Sequence, residues 1–275
     1  MKEKTLYISD LDGTLLNNNG MLSEETAQKL NALIAKGVNF TVATARTDAT
    51  VRHIMSAVDV NVPAVLMNGV VIFDLRKNEY VRVLTICKNG LRKLIDITAL
   101  FGNSGFMYCI EGGELTAYYV NLDPAPAKRF VNERKQRYDK SFCEVASFEE
   151  CVAKKPVYFS VCDKKERLEK AAELLKQIDS LHVEFYHDTY NDGYWFLEVC
   201  SCEASKYSTV RALKDMYGFE RVVGFGDNFN DLALFRACDE AYAVGNAVQA
   251  VRNAATAVIG TNTENGVANF IEQHV

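Results

Sequence analysis

Aspartates stand at positions 10 and 12 in the stretch "LYISDLDGTLL", directly after a short apolar run and directly before Gly13 and Thr14. Side chains two positions apart on extended backbone point to the same side, so these carboxylates repel unless a positive charge lies between them. Toward the other end of the chain, "VVGFGDNFNDLALF" repeats the pattern, with an apolar run leading into Gly226, Asp227, Asn230 and Asp231. If both runs are central parallel strands, their loops share one sheet edge and the carboxylates meet in one pocket. That crowding calls for a cation, and all-oxygen ligands select Mg²⁺ over zinc. Lys206, in "ASKYSTVRAL", and Thr44, in "TVATAR", add an ammonium, a hydroxyl and a backbone N–H at the same edge. Together these groups describe a phosphoryl site. In such a site Asp10, ionised on the metal, attacks phosphorus to give an aspartyl phosphate. Asp12, kept protonated by its acidic neighbour, protonates the leaving alcohol and then takes a proton from water.

The elements that must hold these groups are read from periodicity. "TLYIS" and "VNFTVAT" are buried strands, and "SEETAQKLNALIAKG" is a helix with Ser23 as N-cap and Gly37 past its end. A helix over about 47–57, the apolar run "AVLM" and a hairpin in "GVVIFDLRKNEYVRVLTI" follow. Alternating strands and helices mean a parallel sheet covered by helices. From about residue 85 the texture changes to helices mixed with paired strands, including a hairpin around Asn191-Asp192-Gly193. The simple alternation resumes near residue 200 with "SKYSTVRALKDMYG", "RVVGFGD", "NDLALFRAC", "EAYAV" and "GVANFIEQH". The fold expected is therefore α/β, a Rossmann-like parallel-sheet core over 1–84 and 200–275, interrupted at 85–199 by an α+β cap. Ligands bind at the carboxyl edge of such sheets, so the insert is placed to act as a substrate lid.

Composition narrows the partner. The 275-residue chain carries 31 basic and 36 acidic residues, a formal charge of -5, which argues against nucleic acid or an anionic membrane as the main partner. No signal-like or bilayer-length apolar run is present, so the expectation is a cytoplasmic protein acting on a small molecule. The eight cysteines are scattered without a CxxC pair, and Cys200 and Cys202 lack a His or Cys partner at metal-finger spacing. Reduced thiols are expected, and the oligomeric state is not encoded in any pattern.

Four motifs in order, "DLDGT", "TAR", the lysine of "SKYS" and "GDNFND", resemble the haloacid dehalogenase superfamily over essentially the whole chain. Within it, "MNGVVIFD" and "AVGNAVQAVRNAA" leading to "TENGVANFI" are similar to the Cof-type phosphatases with a large α/β cap. The resemblance implies Asp10 as nucleophile, Asp12 as acid and base, and Thr44, Lys206 and Asn230 as phosphate ligands. It implies Mg²⁺ held by Asp10, Asp227 and the backbone carbonyl of Asp12, supported by Asp231, and substrate contacts at Arg46 and Asn68. The family usually has glycine where Ala45 and Tyr207 stand, which bears on substrate shape more than on reaction type.

The expected activity is Mg²⁺-dependent hydrolysis of a small phosphorylated metabolite, such as a sugar phosphate or a phosphorylated cofactor. A sugar-phosphate mutase would use the same pocket but return the phosphoryl group to substrate. A receiver-like phospho-switch also pairs acids with Thr and Lys, but is about half as long and has no inserted lid. A calcium loop fails because Thr14 and Leu15 stand where that loop needs an oxygen ligand and glycine, and Phe229 spoils a dinucleotide loop.

Overall fold

Leu6 and Ile8 are fully buried and Tyr7 nearly so, the signature of a strand covered on both faces, and they form an interior strand of the first sheet. The structure, a computed structural model, describes residues 3–122, 125–188 and 193–275. The chain begins with β1 (Thr5–Ser9), α1 (Glu24–Ala35), β2 (Asn39–Val42), α2 (Asp48–Ile54), β3 (Ala64–Leu66), β4 (Val71–Asp74) and β5 (Glu79–Val83). It continues through α3 (Lys88–Thr98), β6 (Phe106–Glu111), β7 (Glu114–Tyr119), α4 (Ala125–Tyr138), β8 (Ser141–Glu144), β9 (Tyr158–Lys164), α5 (Lys165–Lys176), β10 (Leu181–His187) and β11 (Tyr194–Ser201). Last come α6 (Lys206–Tyr217), β12 (Arg221–Gly226), α7 (Asp231–Ala237), β13 (Glu240–Ala243), α8 (Gln249–Ala254), β14 (Ala257–Val258) and α9 (Gly266–His274). Two compact units result, Met1–Arg82 with Ser205–Val275, and Val83–Ala204.

The first unit holds a five-stranded parallel sheet in the order β14-β13-β12-β1-β2. Its register sets Ser9 of β1 beside Phe225 of β12, so the loops after these two strands leave the same edge side by side. Local signals explain the helices that follow. Ser23 caps α1 by accepting from the Thr26 N–H, and Gly37, at φ +94°, closes it through its N–H to the Ile34 carbonyl. Ser205 caps α6 in the same way through Ser208. The run "AVLM" behaves differently from a third full parallel strand. It meets β2 through one parallel bridge, Ala43 with Val65, and otherwise belongs to an antiparallel sheet β3-β4-β5.

The second unit is a six-stranded sheet, β10-β11-β9-β6-β7-β8, antiparallel except for the parallel β7 and β8 pair. Helices α3 and α5 pack Leu91, Leu94, Leu168 and Leu175 against Phe159 and Leu197 of the sheet. The expected Asn191-Asp192 turn lies outside the described residues, while the strands flanking it pair from Leu181 with Ser201 to His187 with Trp195. Cys200 is buried in β11, Cys202 is exposed beyond it, and all eight cysteines are free. Among the described residues no helix is long and apolar enough to cross a membrane.

One carboxyl in this unit yields a stability prediction. Glu198 lies in register between Glu184 of β10 and Ser160 of β9, on the strand face opposite Leu197 and Val199. Burial pushes it up to about 7, with Glu184 adding to the rise and hydrogen bonds from Tyr158, Tyr186 and Ser160 opposing it. A carboxyl raised by folding binds its proton more tightly in the folded chain, so this stability is present below its unfolded value and lost as pH rises to about 7. Glu198→Gln removes the penalty of ionisation. Its Tm relative to wild type should therefore climb between about pH 5 and pH 8. Thermal melts across that range check this, and a difference that stays flat contradicts it.

Candidate active site

Asp10 is the first residue beyond β1, and its N–H donates to the Phe225 carbonyl at 3.0 Å, which continues the ladder to β12 past the end of the strand. Lys206 opens α6 and is buried. Its Nζ donates to Asp10 Oδ1 at 2.6 Å and to Asp231 Oδ1 at 2.8 Å. The other oxygen of Asp231 accepts the N–H groups of Asp227 at 2.9 Å and Asn228 at 3.1 Å, folding the acidic loop back on the start of α7. Two glycines make room for this. A Cβ on Gly226 would fall 2.6 Å from the Asp231 Cβ, and one on Gly13, at φ +78°, would fall 2.4 Å from Asp227 Oδ2. The pairing of Asp12 with Gly13 in sequence thus reflects the close passage of the first acidic loop over the second. Thr14 completes the contact by donating to Asp227 Oδ1 at 2.9 Å.

The electrostatics follow from burial. Desolvation, then the Asp231 charge, pushes Asp10 well above the usual carboxylate range, against the pull of Lys206. Burial and Asp231 likewise lift Asp227 to about 6. Burial would strip the proton from Lys206, but Asp10 and Asp231 outweigh it and hold the ammonium above its ordinary value. Carboxylate oxygens of Asp10, Asp227 and Asp231 lie within 4.8 Å of one another, a set able to hold a metal ion. Both oxygens of Asp231 already accept hydrogen bonds. Among the described residues, Asp10 Oδ2 and Asp227 Oδ2 take no donor, and hard oxygen donors of this kind fit Mg²⁺.

The remaining expected residues divide. Asp12 is paired with Arg46, whose Nε and Nη2 reach its two oxygens at 2.7 and 2.5 Å, so the group gripping this carboxylate is a guanidinium rather than the neighbouring acid. Arg46, expected against substrate, thus has Asp12 as a partner. Thr44 is buried, and its N–H, expected to face phosphate, donates instead to the Val65 carbonyl at 2.9 Å. Its hydroxyl accepts from the Arg46 N–H at 3.2 Å and retains its own proton to donate. Asn68 is tied to the Thr44 carbonyl through its N–H at 3.1 Å, and its buried Oδ1 has no hydrogen-bond partner among the described residues. Asn230 is exposed just before α7, and no hydrogen bond among the described residues joins it to Asp10, Lys206 or Asp227. Ala45 and Tyr207 are both exposed, so these replacements add no bulk to the buried cluster.

Two asparagines were not singled out by chemistry in the sequence. Asn246 Nδ2 donates to the Gly13 carbonyl at 2.7 Å, and its Oδ1 accepts the Asn262 N–H at 3.0 Å. Asn262 Nδ2 donates to the Leu16 carbonyl at 2.9 Å. They brace the loop that carries Asp12. The available signal was short amide side chains beside glycine in "VGNA" and near it in "GTNTENG", a pattern that satisfies loop backbone groups.

Known proteins resemble the chain over nearly its whole length. The family described as haloacid dehalogenase-like hydrolase matches residues 7–271. The 5-amino-6-(5-phospho-D-ribitylamino)uracil phosphatase YwtE of Bacillus subtilis is 27% identical over 281 residues, covering 96% of each chain. Pyridoxal phosphate phosphatase YbhA of Escherichia coli is 25% identical, covering 97% of each chain. Among solved structures, a haloacid dehalogenase-like hydrolase from Bacteroides thetaiotaomicron superposes with a TM-score of 0.80 at 20% identity over 100% of both chains. The subclass IIB sugar phosphatase BT4131 gives 0.73 at 21% identity over 98% of both chains.

Proposed function

The chain belongs to the haloacid dehalogenase-like hydrolases and is an enzyme of the phosphatase kind, and we propose that it hydrolyses small phosphorylated metabolites through an aspartyl phosphate on Asp10. The observation that carries this reading is the buried Lys206 ammonium bridging Asp10 and Asp231, with Asp227 within metal-sharing distance. Lys206 fixes the Asp10 carboxylate, which attacks phosphorus, while the Thr44 hydroxyl donates to a phosphoryl oxygen. Asp12 takes up a proton on one oxygen as substrate enters, passes it to the leaving alkoxide and recovers one from the water that opens the acyl phosphate, while Arg46 keeps hold of the other oxygen and orients it. Mg²⁺, held by Asp10, Asp227 and the Asp12 carbonyl, would neutralise charge on the transferring group. Asn230 is assigned to phosphate and Asn68 to substrate on resemblance alone. The unit inserted between β5 and α6 acts, in this reading, as the substrate lid, because the chain returns from it at Ser205, directly before Lys206.

The relatives act by name on a ribitylaminouracil phosphate and on pyridoxal phosphate, and a structural neighbour is named a sugar phosphatase, which supports small phosphate monoesters as the substrate class. A panel of such esters assayed for free phosphate tests the proposal. Release should require Mg²⁺, and an isomeric ester formed without free phosphate would make the protein a mutase instead. Because a proton on Asp227 competes with the ion, Mg²⁺ affinity measured by calorimetry should weaken as pH falls through about 6. An affinity independent of pH from about 5 to 7 contradicts the placement of the ion on that carboxylate.

A further inference from the structure

Met67, Asn68 and Gly69 follow β3 with three successive positive φ angles, +52°, +54° and +100°. Asparagine and glycine tolerate that region, whereas methionine adopts it only where surrounding contacts impose it. Those contacts run in two directions. On one side, the N–H groups of Met67 and Asn68 donate to the carbonyls of Arg46 and Thr44, each at 3.1 Å. On the other, the Gly69 carbonyl accepts the buried Thr209 hydroxyl at 2.6 Å, and a Cβ on Gly69 would fall 2.2 Å from the Ser205 carbonyl oxygen. Ser205 caps α6, Lys206 is its first residue, and Thr209 lies one turn further along it.

We propose that this strained turn, latched by the Thr209 hydroxyl, is a positioning brace that sets the spacing between the Thr44 loop and the Lys206 ammonium. The inference rests on the phosphatase reading and deepens it, since Thr44 and Lys206 arise 162 positions apart in sequence and share no direct hydrogen bond among the described residues. The turn bonds to the strand end that carries the first and to the helix that carries the second. Glycine at 69 is required both by its φ and by the approach to Ser205, and Thr209 is the side chain that converts the approach into a fixed distance. Thr209 touches no reacting atom, so its effect passes through Lys206.

The test compares Thr209→Val, which keeps shape and removes the hydroxyl, with Thr209→Ser, which keeps the hydroxyl. Both are assayed with the best ester of the panel and with inorganic phosphate as inhibitor, well below the Tm of each variant. A displacement near 1 Å at a positioned group costs on the order of 10²-fold in rate, so T209V should lose about 10- to 100-fold in kcat and bind inorganic phosphate more weakly. T209S should recover both. If T209V does not fold, Thr209→Cys, a weak donor, carries the same comparison. An active wild type together with a T209V whose kcat and phosphate inhibition are unchanged overturns the brace alone. A wild type that releases phosphate from no ester overturns the phosphatase reading and the brace with it.

Discussion

Asp10→Asn lowers kcat by about 10⁴-fold or more and leaves the fold intact, on this account, because it removes the nucleophile while preserving its shape. An amide oxygen can still accept from Lys206, which keeps Asp231 as its second partner at 2.8 Å, so the buried ammonium is not orphaned. The charge removed is one that burial and Asp231 already disfavour. The metal-free variant should therefore melt no lower than metal-free wild type. That pairing of a lost rate with a retained Tm separates loss of chemistry from loss of structure. Measured kcat and Tm on the same preparation check it. A variant retaining substantial turnover shows that another group attacks phosphorus.

Asp12→Asn should cost ~10²–10⁴-fold with alkyl phosphates, the usual range for general acid and base help. The loss should depend on the leaving group. An aryl phosphate expels a stable anion without a proton, so formation of the phosphoenzyme survives in the variant, while its hydrolysis still lacks a base. The expected signature is a burst of the phenol followed by slow turnover. Arg46→Ala should follow the same dependence at smaller size, about 10-fold, because the guanidinium grips both oxygens of Asp12 at 2.7 and 2.5 Å and orients them. Stopped-flow absorbance with aryl and alkyl esters checks both variants. If Arg46→Ala raises KM alone, equally for every leaving group, the arginine holds substrate and does not position Asp12.

The cluster of Asp10, Lys206, Asp227 and Asp231 was legible because charge at the end of an apolar strand has few structural explanations, and two such ends on adjacent parallel strands must meet. Register turned that inference into contact through Ser9 beside Phe225. The direction of neutral groups was not legible. Whether the Thr44 N–H faces a ligand or the Val65 carbonyl depends on a single bridge between β2 and β3, which no pattern in "TVATAR" or "AVLM" encodes. The resemblance implies a substrate contact at Arg46, whereas its pairing with Asp12 is set by loop shape. Strand β8 carries "SFCE" with Ser141, Cys143 and Glu144 exposed, so its hydrophobic pattern is too weak to mark an edge strand. Asn246, Asn262 and Thr209 act on backbone groups distant in sequence, and an amide or hydroxyl that does so looks like any other in a loop or helix.

The most direct test of the account is to quench the enzyme with acid during turnover of an aryl phosphate and locate the phosphoryl group by peptide mass spectrometry. The account places it on the carboxylate of Asp10, at higher occupancy in Asp12→Asn and absent in Asp10→Asn. A phosphoryl group on any other residue, or turnover in Asp12→Asn that shows a burst with no phosphorylated peptide, would contradict it.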